Sequence, residues 1–290
     1  MKRIISCVAS DFQKEFADNE IKEAILASEG RVIMAQTTAN NETVINGVSN
    51  AELLASFGTD MILLKVFDVE SPCIKGIETN DNVIKKLKRL TGRLIGINLE
   101  VIGANNLKYN GGTVLSEETI KKTVELQPDY ICLTAYRNKP GNDSEAIMKA
   151  IQLVRKYFKG LLILNKYYSS QELKNEKAWK KYIENGADII TLPMPGSVPG
   201  VYVENLAPIA EKIKEYGGLV SMAVSTSQEG CDENTMKTMA IQAKQAGADL
   251  YDFGDANTNG IPAPENILTL SIVIRGKRHT YFRLGSSICR

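Results

Sequence analysis

Two lysines lie within apolar stretches that otherwise have the composition of buried strands. Lys65 lies within residues 62–68, and Lys166 lies within residues 162–167. Burial of an ammonium group costs free energy and lowers its pKa, which makes the neutral amine available as a nucleophile. Either lysine could therefore form a Schiff base with a carbonyl compound, and Lys166 is the first choice because its strand ends directly after it. The alternative is a structural lysine that reaches solvent or pairs with a neighbouring carboxylate.

Polar side chains occupy alternate positions in two further apolar stretches. Asn98 and Glu100 alternate with apolar residues in the first, and Thr134 and Tyr136 do so in the second. Alternate side chains of a strand share one face, so each pair is expected on the inner face near the strand's end. An acid in such a place is more often functional than structural, whereas Thr134 also fits a hydrogen-bonded core position. We therefore predict Glu100 and Tyr136 as acid–base partners of the lysine.

Two loops in the last quarter of the sequence contain small residues that leave backbone N–H groups accessible. They cover residues 225–230 and 254–260, and residues 262–265 begin a helix whose N-terminus would favour an anion. A phosphate group is the expected ligand, and two ordinary polar loops are the alternative. The predicted substrate- and phosphate-binding residues all lie near strand ends: Gln36, Asn98, Thr134, Ser225, Ser227, Gly254 and Asp255.

Carboxylates near the predicted strand ends allow a second chemistry. Asp68, Glu100 and Asp255, together with Asp252, could hold Mg²⁺ or Mn²⁺ through oxygen ligands. Such a site would activate water for hydrolysis or stabilise an enolate. The first expectation is a reaction without metal or cofactor, and Mg²⁺ or Mn²⁺ is the alternative.

Histidine chemistry is excluded by composition. His279 is the only histidine, and it lies outside the apolar stretches. Ser-His-Asp catalysis, Cys-His catalysis and metal sites with several histidines are therefore ruled out. Carboxylates, lysines, tyrosines, backbone amides or an oxygen-bound metal must do the chemistry.

A repeat along the whole chain positions these residues. Eight times a Gly or Pro ends a helix-like stretch and a short apolar run follows, as in Gly186-Ala187-Asp188-Ile189-Ile190. Eight strand–helix units predict an α/β fold, a (β/α)8 TIM barrel. An open doubly wound sheet is the alternative, but the chain has no early Gly-rich nucleotide-binding turn. The predicted strands are 32–38, 61–68, 94–101, 130–137, 161–167, 189–194, 219–226 and 250–255.

The connections indicate which end of the barrel carries the site. Helix-to-strand turns are short, whereas long polar connections follow the strands, at 69–82, 103–115, 138–143, 193–203 and 225–233. The carboxyl ends of the strands are therefore the predicted mouth. We expect a single domain over residues 1–290. Residues 1–29 would cap the other end with an extra helix, and residues 276–290 would form a basic, aromatic C-terminal tail.

The overall composition indicates which kinds of binding partner and which cellular compartment to expect. The formal net charge is +1, with 35 Lys and Arg against 34 Asp and Glu, so nucleic-acid binding has no support. Five scattered cysteines without a CxxC pair indicate a reducing compartment. No apolar run is long enough for a membrane helix. We expect a cytoplasmic protein that binds a small molecule, with no nucleic-acid or membrane partner, and that forms a homo-oligomer through the C-terminal tail.

A strand-end lysine with a tyrosine or carboxylate in a predicted barrel resembles class I aldolases and related barrel lyases. The resemblance implies Lys166 as the nucleophile, with Tyr136 or Glu100 as the proton shuttle and Lys65 as the other catalytic candidate. It implies lyase, aldolase or isomerase chemistry on a small polar metabolite that is phosphorylated or carries a carbonyl group. The alternatives are a metal-assisted hydrolase that uses the strand-end carboxylates and a ligand-binding barrel without turnover.

Overall fold

A closed barrel of eight parallel strands forms the centre of the molecule. The computed structural model describes residues 2–102, 111–136, 143–166, 173 and 175–290. Each strand pairs with the next along the chain, and the last pairs with the first. The strands are β1 Val32–Thr38, β2 Met61–Lys65, β3 Leu94–Glu100, β4 Tyr130–Ala135, β5 Leu161–Lys166, β6 Ile189–Pro193, β7 Leu219–Val224 and β8 Leu250–Phe253. The predicted α/β TIM barrel is confirmed.

Every strand begins at the predicted residue, but seven of the eight end earlier than predicted. β2 ends at Lys65 because Val66 adopts a left-handed backbone conformation (φ 51°) that leaves the sheet. β7 ends at Val224 before a similar conformation at Thr226 (φ 60°). Positive φ is costly for a β-branched residue, so the surrounding structure must hold both strand ends in place.

Helices cover the outside of the barrel and its lower end, where the strands begin. In the described residues they are α1 Ala9–Phe12, α2 Glu20–Leu26, α3 Asn50–Ser56, α4 Val83–Thr91, α5 Glu117–Glu125, α6 Ser144–Tyr157, α7 Glu176–Glu184, α8 Val203–Glu215, α9 Glu233–Gln245 and α10 Pro264–Gly285. A capping box begins α3, because Ser49 Oγ accepts the Glu52 N–H and Glu52 Oε2 accepts the Ser49 N–H. Within the described ranges, none of these helices has the length and apolar character needed to cross a membrane.

Four aspartates join neighbouring strands at the lower end of the barrel. Each is the residue directly before an even-numbered strand: Asp60, Asp129, Asp188 and Asp249. Each carboxylate accepts the backbone N–H of the second residue of the preceding strand, at 2.8 or 2.9 Å. The N–H of each aspartate donates to the carbonyl oxygen of that same residue. This clamp gives a structural reason for the aspartate that follows Gly-x at Asp60, Asp188 and Asp249, and that follows a proline at Asp129.

Each clamp aspartate joins an odd-numbered strand to the next even-numbered one. It also pairs with a basic side chain from the helix that precedes the odd-numbered strand. Lys88 of α4 pairs with Asp129, Arg155 of α6 with Asp188, and Lys214 of α8 with Asp249. Asp60 pairs with Arg275 of α10 at 2.7 Å. Because the barrel is a closed ring, α10 takes the place of the helix before β1. The same arrangement therefore occurs four times around the barrel.

Apolar side chains fill the lower half of the barrel interior. Inward residues from all eight strands pack with Ile4, Phe12, Ile21 and Ile25 of the N-terminal segment. This agrees with the extra N-terminal helix of the predicted fold. With the lower end filled, a ligand is expected to enter at the opposite end, which we call the mouth.

Gly96 of β3 leaves room for the ring of Tyr130, which fills the centre of the barrel and is fully buried. A methyl group at residue 96 would overlap several carbon atoms of that ring. We expect Gly96→Ala to lower the free energy of unfolding by about 1–3 kcal/mol in urea denaturation, as overpacking of a core does. Gly285→Ala is the control, since its methyl would meet nothing within 4 Å. Recovery of stability in Gly96→Ala/Tyr130→Leu would identify the overlap as the cause, whereas wild-type stability of Gly96→Ala would contradict it.

The C-terminal residues continue α10 beyond a kink at Gly276 (φ 71°) and pack beneath the barrel. The buried Arg283 guanidinium donates to the carbonyl oxygens of Ile4 (2.6 Å) and Cys7 (3.0 Å). It also forms an ion pair with Asp60. The predicted C-terminal extension is thus a helix that fastens the N-terminal segment in place. Its role in an oligomer stays a prediction.

Candidate active site

A belt of buried polar side chains lies above the apolar lower half of the barrel. Each strand contributes one such residue, two or four positions after an inward apolar residue of the lower half. The eight belt residues are Gln36, Lys65, Asn98, Thr134, Asn165, Thr191, Ser221 and Asp252, and all are 5% exposed or less. Four of them were predicted as site residues, Asp252 was predicted only as a metal ligand, and Asn165, Thr191 and Ser221 were missed.

Lys65 is the belt residue with nucleophilic potential. Its side chain is 2% exposed, and Nζ donates to Tyr136 Oη at 3.0 Å and to Thr134 Oγ1 at 3.4 Å. Thr134 Oγ1 in turn donates to Asn98 Oδ1 at 2.5 Å. The structure therefore brings together four predicted site residues in one hydrogen-bonded chain.

Lys166, the first choice for the nucleophile, belongs to the other face of its strand. It shares the alternation of Leu162 and Leu164, which pack in the layer between the barrel and the helices. Its register partner on β4 is Ala135, which lies in the same layer. The belt residue of β5 is its neighbour Asn165. Strand alternation thus assigns Lys65 and not Lys166 to the barrel interior.

Asp252 of β8 is a fully buried carboxyl group on the opposite side of the belt from Thr134. Its Oδ2 accepts a hydrogen bond from Gln36 Nε2 at 2.8 Å. Burial raises the pKa of Asp252 to about 7; the hydrogen bond from Gln36 and the charge of Lys65 act to lower it, and the charges of Asp255 and Glu229 act to raise it. A carboxyl group with this pKa exchanges its proton near neutral pH, as an acid–base catalyst must.

Several buried polar atoms of the belt have no hydrogen-bond partner among the described residues. They are Gln36 Oε1, Thr191 Oγ1, Ser221 Oγ and Asp252 Oδ1. A buried polar atom without a partner costs about 1–3 kcal/mol. The belt therefore contains buried polar groups that a polar ligand could satisfy with hydrogen bonds that the described residues do not provide.

The predicted phosphate loops present a carboxylate where an anion was expected. Glu229, in the short 3-10 helix Gln228–Gly230, is 1% exposed, and its Oε1 lies against the backbone of Gly254. Asp255 is close by and accepts a hydrogen bond from Thr38 Oγ1 at 2.9 Å. Ser225 and Ser227 lie at the surface side of this loop. A phosphate at Gly254 would be repelled by two carboxylates.

Of the carboxylates predicted for a metal, Asp252 and Asp255 lie within electrostatic reach of each other, whereas Asp68 and Glu100 have other surroundings. Asp68 Oδ1 accepts the backbone N–H groups of Glu70 (2.8 Å) and Ser71 (3.4 Å), so it stabilises the loop after β2. Glu100 ends β3 with a half-buried side chain. In the part of the chain that the structure describes, no group of three or more His, Cys, Asp or Glu could hold a metal ion. Residues 103–110 of the predicted connection 103–115 and residues 138–142 of the predicted connection 138–143 lie outside the described residues.

A closed eight-stranded barrel with a polar belt beneath its mouth places the protein in the TIM-barrel class. A model of the family described as "Domain of unknown function (DUF7916)" matches residues 5–290, so the chain belongs to that family. The sequence has no match among curated proteins.

Solved structures of enzymes share this fold at low sequence identity. An archaeal fructose 1,6-bisphosphate aldolase is 15% identical with a TM-score of 0.56, over 90% of this chain and 100% of that chain. The N-terminal domain of a putative aldolase from Bacteroides vulgatus is 16% identical with a TM-score of 0.55, over 89% and 85%. A putative α-galactosidase/melibiase from Bacteroides fragilis is 11% identical with a TM-score of 0.51, over 88% and 60%. These similarities show the fold, and the reaction has to be argued from the side chains.

Proposed function

We propose that this protein is a TIM-barrel enzyme of the lyase or isomerase type, in which Lys65 forms a Schiff base with a small carbonyl substrate. The observation that carries the proposal is the nearly complete burial of Lys65 with a tyrosine hydroxyl 3.0 Å from Nζ. A buried amine beside an acid–base group is an arrangement suited to covalent catalysis through an imine.

Tyr136 is the proposed proton carrier for imine formation. The Lys65 ammonium group first gives a proton to solvent. Its neutral Nζ then attacks the carbonyl carbon, and a proton moves from nitrogen to the former carbonyl oxygen to give a carbinolamine. Tyr136 then protonates the departing hydroxyl group, water leaves, and the C=N bond forms. Its hydroxyl is close enough to Nζ for this role without rearrangement of the backbone.

Asp252 is the proposed base for the bond-breaking step. The protonated imine withdraws electrons from the adjacent bond, so a proton must leave the substrate as that bond breaks. In a lyase the proton comes from a hydroxyl group and a C–C bond breaks, whereas in an isomerase it comes from carbon. A carboxyl group with a pKa of about 7 can take up this proton and return it later in the cycle.

Thr134 and Asn98 are the proposed positioning residues. Thr134 Oγ1 accepts from Lys65 Nζ while donating to Asn98 Oδ1, so it fixes the direction of the lysine side chain. A side chain held in one orientation loses less entropy in the reaction than a mobile one.

Borohydride trapping tests the proposal. Wild-type protein is incubated with hydroxyacetone, pyruvate or glyceraldehyde and sodium borohydride, and the modified peptide is identified by mass spectrometry. We expect an adduct on Lys65, no adduct at that position in Lys65→Arg, and trapping slowed by about 10²–10⁴-fold in Tyr136→Phe. Lys166→Ala is the matched control and should be trapped like wild type. An adduct on Lys166, or carbonyl binding in calorimetry without any adduct, would contradict the proposal; the second result would favour a ligand-binding barrel.

A further inference from the structure

The side of the mouth formed by β1, β7 and β8 is rich in buried hydrogen-bond acceptors. We call this surface the acidic wall; it consists of Gln36, Glu229, Asp252 and Asp255. Three of its atoms, Gln36 Oε1, Glu229 Oε2 and Asp252 Oδ1, are buried and have no partner among the described residues. The three side chains that carry them are 2% exposed or less. Gln36 Oε1 can only accept, and the two carboxyl oxygens accept when they are ionised, although burial raises the pKa of both Asp252 and Glu229. The missing partner of the ionised wall is therefore a donor.

The three carboxyl groups of the acidic wall, on Glu229, Asp252 and Asp255, all become negative when they ionise. Asp252 lies within electrostatic reach of both Asp255 and Glu229, and Glu229 is within reach of Asp255. Among the described residues, Lys65 is the ammonium group shown to act on Asp252, from across the belt, and the proposed reaction converts it into a neutral imine nitrogen or an iminium ion. A cation bound at the wall would therefore be attracted and an anion repelled.

Hydrogen bonds to neighbouring residues hold the backbone of the loop that carries Glu229. The Glu229 carbonyl oxygen accepts hydrogen bonds from Ala263 N–H (3.2 Å) and Asn266 Nδ2 (3.1 Å). Asn266 Nδ2 also donates to the carbonyl oxygen of Cys231 at 2.8 Å. Preorganised acceptors bind a donor group with a smaller loss of conformational entropy.

We propose that the acidic wall binds the primary ammonium group of the substrate, so that the substrate is a small amino-ketone or amino-aldehyde whose carbonyl group reaches Lys65. An alkylammonium group offers N–H donors and one positive charge, which complement unpartnered acceptors on a surface rich in carboxyl groups. This inference rests on the proposed function for the carbonyl end of the substrate. It reverses the phosphate preference predicted for the same loops.

Three methyl ketones that differ in a single group test the proposal: aminoacetone, hydroxyacetone and hydroxyacetone phosphate. Half-saturating concentrations are measured for borohydride trapping at Lys65. We expect aminoacetone to saturate trapping at a concentration at least tenfold lower than hydroxyacetone, and hydroxyacetone phosphate to be the weakest. In Glu229→Gln the advantage of aminoacetone should fall to less than threefold. Glu70→Gln, which changes an exposed carboxylate of the loop after β2, should keep the full advantage.

Equilibrium binding separates this inference from the proposed function. Aminoacetone and hydroxyacetone binding to Lys65→Met is measured by nuclear magnetic resonance, because this variant cannot form the imine. Preferential binding of aminoacetone would support the acidic wall even if no ketone is trapped by the wild type. Equal binding of the two ketones, or the strongest trapping with the phosphate, would overturn the inference while leaving the Lys65 mechanism standing. Displacement of aminoacetone by millimolar Mg²⁺ or Mn²⁺ would also overturn it, in favour of a metal site.

Discussion

Asp60→Asn is expected to lower the free energy of unfolding by about 3–5 kcal/mol, because it leaves buried guanidinium groups without their carboxylate. Asp60 is fully buried and pairs with Arg275 Nη1 and Arg283 Nε, both at 2.7 Å. Its Oδ2 also accepts the Ile33 N–H, and Arg93 lies within electrostatic reach. Asparagine keeps the shape and an acceptor oxygen but removes the charge. The decrease in the free energy of unfolding therefore measures how much the negative charge of Asp60 stabilises the fold.

The pH dependence of this loss has a defined sign. Burial acts to raise the pKa of Asp60, but Arg275 and Arg283, together with the Ile33 N–H and Arg93, outweigh it and hold the pKa below its usual value. The stabilisation is therefore complete above the pKa of an unfolded aspartate, about 4, and disappears as pH falls through the lower folded pKa. Urea denaturation at pH 7 and at pH 3 should show a large difference between wild type and Asp60→Asn that shrinks at the lower pH.

Glu145→Gln is the matched control for Asp60→Asn. It removes the carboxylate of an exposed pair with Lys149 on α6, and such pairs contribute less than about 1 kcal/mol. If Asp60→Asn does not fold, Arg283→Met is measured instead, since it leaves Asp60 paired with Arg275; it should fold and be less stable than wild type. An Asp60→Asn variant as stable as Glu145→Gln, or an Arg283→Met variant as stable as wild type, would refute the prediction.

Asp252→Asn is expected to stabilise the protein at pH 8 while impairing its chemistry. Burial raises the pKa of Asp252 to about 7, whereas the pKa of an unfolded aspartate is about 4. Between these values the folded protein keeps a proton that the unfolded chain has released, so this group makes stability fall as pH rises from about 4 to 7. At pH 8 the buried charge costs up to about 4 kcal/mol, since each pKa unit corresponds to about 1.4 kcal/mol. A neutral asparagine avoids this cost.

Unfolding free energies of wild type and Asp252→Asn should be compared at pH 4, 6 and 8. We expect near equality at pH 4 and a growing advantage of the variant toward pH 8. Asp18→Asn, which changes an exposed aspartate, should follow the wild-type profile. Turnover of a substrate identified by trapping should fall by about 10²–10⁴-fold in Asp252→Asn. A stability difference that does not change with pH would show that Asp252 is not a buried acid in the folded protein.

The beginnings of the strands could be predicted from the sequence because local chemistry decides them. A glycine or proline precedes each strand, and in four turns an aspartate then joins the strand that it precedes to the strand before it. The ends of the strands depend on how the mouth loops fold back. Val66 and Thr226 leave the sheet with positive φ, which no local pattern of β-branched residues indicates.

The choice between the two lysines could not be made from the sequence. β5 is apolar on both faces, because one face packs against helices and the other against the barrel interior. Such a strand has no alternation of polar and apolar residues to show which face is inner. The closed register supplies that information, and it places Asn165 inside and Lys166 outside.

The sequence pattern was too weak to identify Thr191, Ser221 and Glu229 as site residues. Thr191 and Ser221 are small polar residues in apolar strands, which usually fill a core. Glu229 lies in a loop, and its burial comes from the path of that loop over Gly254 and beneath Asn266. Only the arrangement of all eight strands shows that each contributes one polar residue at a similar depth.

The fourfold clamp bears on the ancestry of the barrel. Each aspartate joins two consecutive strands, and its basic partner comes from the helix that ends the preceding pair. A two-strand unit therefore carries both halves of a contact, an acid at one end and a base at the other. Copies of a gene segment encoding that unit would fit one another without new contacts having to evolve, and the fourth would close onto the first, as α10 does with Asp60. The chain has the organisation expected of a gene built by repeated duplication of a quarter-barrel.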